Sequence, residues 1–242
     1  MSGTLRLVAI VIFAAALIAV SLVVADNGSQ AQLTAFAEHM HGHYDQVGEI
    51  KAAVIAGDLD AVREPAAWLA GHDEPPGLPN EWQPYIDEMR KYSAEAAGAT
   101  NLVMAAAAIS NIARTCGDCH RASGFEVAFG SSERPPAELD NVTTQMQRHL
   151  WAADRMWAAL IGPSDRAWQQ GAEMLGTVEL AAADMASEAD QLPRVEALAQ
   201  RAQDLGRQGG GASSSEARAA TYGEFLSLCA TCHSVTGGGP GT

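Results

Sequence analysis

The sequence predicts an all-α protein built as two tandem four-helix bundles. Three observations carry that expectation. Apolar residues recur at steps of three and four along most of the chain, the pattern occurs twice, and each occurrence runs into the same short cysteine–histidine motif. Composition agrees: aromatic residues make up only 6% of the 242, and long tracts rich in Ala and Leu, with Met among them, favour helix over strand.

In the first half, Leu33, Phe36, Met40, Tyr44, Val47, Ile50 and Val54 form one face of a long helix that Gly57 ends. Leu59, Val62, Ala66 and Leu69 mark a second helix, broken by His72 to Pro79 with its three prolines. Asn80 is the expected N-cap of a third, carried by Trp82, Tyr85, Met89 and Tyr92. Leu102, Ala106, Ile109, Ala113 and Cys116 make the fourth. The stretch Gly130 to Pro136 reads as a linker. Beyond it, Val142, Met146, Leu150, Ala153, Met156 and Leu160 form a stripe that stops at Gly162-Pro163. A second stripe runs through Ala167, Met174, Val178 and Ala182, and a third, after Pro193, through Val195, Leu198, Ala202 and Leu205. A Gly/Ser-rich loop over 206–215 then precedes Tyr222, Phe225, Leu226 and Cys229. The expected organisation is a first bundle over 26–130, a linker over 131–140 and a second bundle over 141–242.

The two halves are related by duplication. An offset of 106 residues places Met40 on Met146, His43 on His149, Ala52-Ala53 on Ala158-Ala159 and Ile55 on Ile161. It also pairs Ala61 with Ala167, Ala66 with Ala172 and Leu69 with Leu175, eight identities without a gap. The alanines carry little weight in an Ala-rich chain; the repeated Met-x-x-His pair carries the argument. The cysteine motifs stand 113 apart, so the second copy holds seven extra residues, expected near its Gly/Ser loop.

Those motifs are Cys116-Gly117-Asp118-Cys119-His120 and Cys229-Ala230-Thr231-Cys232-His233, and they contain every cysteine of the chain. C-x-x-C-H is the attachment signal of c-type haem. Two thiols three positions apart on a helix can each add to a haem vinyl group, and the following histidine can give a nitrogen to the iron. One four-cysteine zinc site fits poorly, because the gap from Cys119 to Cys229 far exceeds the usual spacings. A thioredoxin-like redox pair would need alternating strands and helices, which are not seen around either motif. The cofactor expected is therefore two covalent haem c groups, with His120 and His233 as proximal iron ligands.

The far side of each iron must be supplied by another helix. Met40/His43 and Met146/His149 are the only iron-capable residues placed alike in both repeats, and within each pair the two share a helix face. Either could be the distal ligand, with the other packed on the ring. Met is also common core filler; recurrence is what singles the pair out. His39 and His41 face Gln145 and Gln147 in the second copy and read as surface residues. His72 has no assigned role, and the five tryptophans read as packing.

Residues 1–25 stand apart. Arg6 precedes an almost unbroken apolar run from Leu7 to Val24, and Val23-Val24-Ala25 offers small residues for cleavage. A secretory signal and a retained membrane anchor both suit this segment. Either address puts the remainder in the periplasm or on the periplasm-facing side of the cytoplasmic membrane, where bacteria complete c-type attachment. The net charge of -14 argues against nucleic acid and for redox partners with a basic docking face. Membrane contact is expected only through the N-terminal segment.

First-helix Met or His, three further helices and a closing C-x-x-C-H together resemble the cytochrome c′ family of four-helix haem proteins, here in tandem over 31–123 and 141–236. The resemblance implies proteins that pass electrons or bind small gases at an open iron. An electron carrier is the leading expectation, since two linked haems, an exported address and no further catalytic set suit it. Gas binding or sensing is the alternative, and needs an apolar distal side that the Met/His pairs do not offer. A di-haem peroxidase is a third; only His39 and His41 supply the asymmetry it needs. No catalytic residue is assigned.

Overall fold

A computed structural model describes residues 34–127, 129, 134–139 and 141–239. The N-terminal segment 1–25 and residues 130–133 of the linker lie outside them. Every regular element among the described residues is helical. The chain separates into two units, Met1–Tyr44 and Asp45–Thr242.

Helix α1 covers 34–56. Gly57 ends it with a left-handed φ of 79°, a conformation that costs glycine nothing. There the Asp58 N–H donates to Ala53 O at 2.9 Å and the Gly57 N–H to Val54 O at 3.1 Å, the six-to-one and five-to-two bonds of a Schellman stop. The Asp58 carboxylate then accepts from the Ala61 N–H at 3.0 Å and caps α2 (Leu59–Gly71). One dipeptide therefore stops one helix and starts the next.

Asn80 does not cap the third helix. It opens a single 3-10 turn, Asn80–Trp82, and α3 runs from Gln83 to Ala97. Pro84 in the first helical turn presets φ there, so the start needs no side-chain cap. Asn101 caps α4 (Leu102–Ser123) by accepting from the Met104 N–H at 2.9 Å. In the second copy Asn141 caps α5 (Val142–Ile161) and Ser164 caps α6 (Asp165–Thr177).

The stripe expected to continue through Val178 to Ala182 breaks at Thr177. Gln203 of the later helix donates to Val178 O at 3.1 Å, and Gln145 accepts from the Ala181 N–H at 2.9 Å. Side chains thus satisfy backbone groups that a helix would otherwise have used. A short α7 (Ala182–Met185) follows, then α8 (Leu192–Gly210) and α9 (Ser215–Thr236), capped by Ser214. Most of the expected Gly/Ser loop is therefore helix. Gly206 is the reason: a methyl group there would lie 2.2 Å from Gly176 N and 2.5 Å from its Cα, so this glycine serves a close crossing of α6 and α8.

Element lengths match between the two halves of the chain. α2 and α6 both have 13 residues, and α4 and α9 both have 22. α8 has 19 against 15 in α3, so four of the seven extra residues lengthen α8 by about one turn, and the rest precede it.

Within the second unit, α2 packs on α3 and α3 on α4, while α5 packs on α6, α6 on α8 and α8 on α9. The two series meet where α4 lies along α9 and against α5. At the α4–α9 crossing, Gly223 comes so near α4 that a Cβ would be 2.8 Å from Ser110 Oγ. Ile50, Val54, Ile109, Ile112, Met156, Trp168, Tyr222 and Leu226 are fully buried in one continuous core. Burying each such side chain contributes about 1.5–3 kcal/mol. The Tyr222 hydroxyl reaches across this core to donate to Ala153 O at 3.1 Å.

Candidate functional site

Both cysteine motifs lie in the closing turns of 22-residue helices, so their side chains take positions set by the helix and not by a loop. Glycine stops each helix just beyond: Gly124 at φ 74° and Gly237 at φ 69°. Cys229 and Cys232, one turn apart on α9, line a cavity of about 660 Å³ together with His233. On α5, Met146, His149 and Leu150 line the same cavity. Most of its remaining wall is apolar, including Leu198, Phe225 and Leu228, with Ile55 near the end of α1.

His149 is 7% exposed, and its Nε2 is buried with no hydrogen-bond partner among the described residues. Desolvation by burial pushes its pKa down to about 4. The ring is therefore neutral at pH 7, and no group among the described residues satisfies its Nε2. A buried group in that condition costs about 1–3 kcal/mol unless a ligand takes it up. The ring centroid of Phe225 on α9 lies 6.4 Å away.

His233 is oriented from the other repeat. Its Nδ1–H donates to the carbonyl of Ile55 at 2.9 Å. A carbonyl only accepts, so the proton sits on Nδ1 and Nε2 keeps its lone pair. His120 shows the same arrangement: its Nδ1–H donates to Ile161 O at 2.7 Å. Ile55 and Ile161 are counterparts under the 106-residue offset. Each motif histidine is thus held by the first helix of the opposite repeat.

All four cysteines are free thiols. Burial pushes Cys116 and Cys229 up to about 12, helped by the neighbouring Cys119 and Cys232. Cys119 is raised by burial and by the charge of Glu74, and Cys232 by burial. Reactive and redox-active thiols show the opposite displacement. Around the first motif, the buried Arg114 pairs with Glu88 and with Asp118, both at 2.7 Å, and Asp118 also accepts from Arg121 at 2.9 Å. This network fixes the motif's second variable residue.

The sequence-derived residues divide as follows. Cys229, Cys232, His233, Met146 and His149 come together on one cavity. Cys116, Cys119 and His120 lie on α4 of the second unit, and Met40 and His43 in the first unit, each described within its own unit. In the first unit the His39 and His43 rings lie 4.3 Å apart between centroids. His72 stacks on Trp68 at 3.8 Å. Trp157 and Trp168 are core residues, whereas Trp68 is 37% exposed.

Sequence reasoning missed the Ile55 and Ile161 carbonyls, although both residues were among the repeat identities. No family model, curated protein or solved structure matches this chain.

Proposed function

We propose that this protein is an exported di-haem c-type cytochrome that carries electrons between redox partners. In this reading the chain is two tandem four-helix bundles of cytochrome c′-like design, over 26–130 and 141–242, each closing with a haem attachment motif. The observation that carries it is the α5–α9 cavity. One wall holds two thiols and a histidine with a free Nε2, and the other a buried, neutral histidine whose Nε2 has no partner.

The residues fit the group. The volume lies inside the ~300–1,000 Å³ range of cofactor pockets, and the walls are mainly apolar. Cys229 and Cys232 would anchor the ring covalently, and His233 would ligate the iron. Bound there, haem supplies one-electron exchange at its iron.

The protein's own groups do the rest. The Ile55 carbonyl fixes the tautomer of His233 and raises its basicity. His149 offers a neutral imidazole from the opposite wall, with Met146 one turn earlier as packing or as a competing thioether ligand. Leucine and phenylalanine side chains exclude water. Leu150 lines the cavity yet is 54% exposed, so the wall meets solvent there.

The first haem would use Cys116, Cys119 and His120. By the 106-residue correspondence in sequence, His43 and Met40 are its distal candidates. The acidic charge suits donors and acceptors with basic faces in the periplasm, and the N-terminal segment would serve as leader or anchor. Reduced-minus-oxidised spectra with and without carbon monoxide test the reading. Two low-spin haems that leave the gas unbound support electron transfer; gas uptake at both irons would favour gas binding instead.

A further inference from the structure

We infer that Gly117 is a positioning residue for the first haem, because it lets the end of α5 hold the proximal His120. The inference rests on the di-haem reading above. Gly117 and His120 are three positions apart on α4 and share a face. That face meets the last turn of α5, where the Ile161 carbonyl accepts the His120 Nδ1–H at 2.7 Å. A methyl group on Gly117 would stand 1.9 Å from the Leu160 carbonyl oxygen and 3.1 Å from its carbon. Both are backbone atoms, so the clash is not relieved by turning a side chain. Any larger residue must lift α4 away from the helix end and stretch the histidine's hydrogen bond. The equivalent position in the second motif is Ala230, 2% exposed, so the requirement belongs to the first motif alone.

The chemistry gives the direction. An imidazole that donates its Nδ1–H to a carbonyl gains electron density at Nε2 and binds ferric iron more firmly. Loss of that bond weakens the ferric preference and raises the potential. The acceptor comes from the opposite repeat, so the first haem is tuned by α5, the helix that also carries His149 to the second cavity. The two sites are cross-wired through one helix.

The test is spectroelectrochemical titration of the full-length, haem-loaded protein and its Gly117→Ala variant. One haem should shift to higher potential while the other stays in place, and the reciprocal Ala230→Gly change should move neither. A Gly117→Ala protein with both potentials unchanged would overturn the inference while leaving the two haems in evidence. Should that variant fail to mature, the ferrous wild-type protein labelled with ¹⁵N-histidine gives a second reading. The His120 Nδ1–H should exchange slowly with solvent, protected by its bond to the Ile161 carbonyl. Fast exchange would also overturn it. Absence of any haem from the wild type would instead remove the functional reading on which the inference depends.

Discussion

Gly206 lies against Gly176 so closely that a methyl group on it would come within 2.2 Å of the Gly176 nitrogen. The two helices α6 and α8 cross at this point backbone to backbone, and the indole N–H of Trp168 donates to Gly209 O at 2.8 Å one turn further on. Gly206→Ala should therefore destabilise the protein by about 3 kcal/mol, the upper part of the range for overpacking. That cost outweighs the roughly 1 kcal/mol that alanine gains in a helix. Gly48→Ala in the middle of α1 should do the reverse and stabilise by about 0.5–1 kcal/mol, because its added methyl meets no described atom within 4 Å. Urea titrations of both variants check the pair; equal effects would refute the close-crossing account.

For the iron proposed in the α5–α9 cavity, the structure offers two donors of different chemistry one helical turn apart. His149 is buried and neutral with an unpartnered Nε2, whereas a methionine at Met146 makes an ordinary packing residue. His149→Ala is expected to open that iron to carbon monoxide, and Met146→Leu is expected to leave it closed. Gas uptake by the Met146→Leu protein alone would reassign the ligand to the thioether.

The net charge of -14 makes a prediction about partners. Reduction by a cationic protein donor should be fast at low ionic strength and slow steadily as salt shortens the Debye length from about 30 Å at 0.01 M to about 10 Å at 0.1 M. A rate indifferent to salt would mean that the acidic surface serves solubility only.

Much of the helical layout is legible in the sequence, because the apolar stripes of α1, α2, α4, α5 and α9 follow a helical period and all of these but α2 stop at glycine. What sequence reasoning misread came from tertiary contacts. Glycine at 206 and 209 reads as loop in one dimension, yet serves as a packing surface in three. Val178 and Ala181 continue a helical stripe, but Gln203 and Gln145 take their backbone groups elsewhere. Cys229, Cys232 and His233 were singled out by their spacing and Met146 and His149 by their recurrence, and all five line one cavity. The carbonyls of Ile55 and Ile161 were not singled out, since a backbone acceptor leaves no mark in residue identity, and only its recurrence at the 106-residue offset hinted at a role.

The central claim is two covalent haems, one on each motif, and intact mass with haem staining on a denaturing gel measures it most directly. Produced in a host competent for c-type maturation, the protein should carry two haems. The paired substitution Cys116→Ala/Cys119→Ala should leave one, and Cys229→Ala/Cys232→Ala should likewise leave one. A protein that stains for no haem and holds stoichiometric zinc would contradict the account.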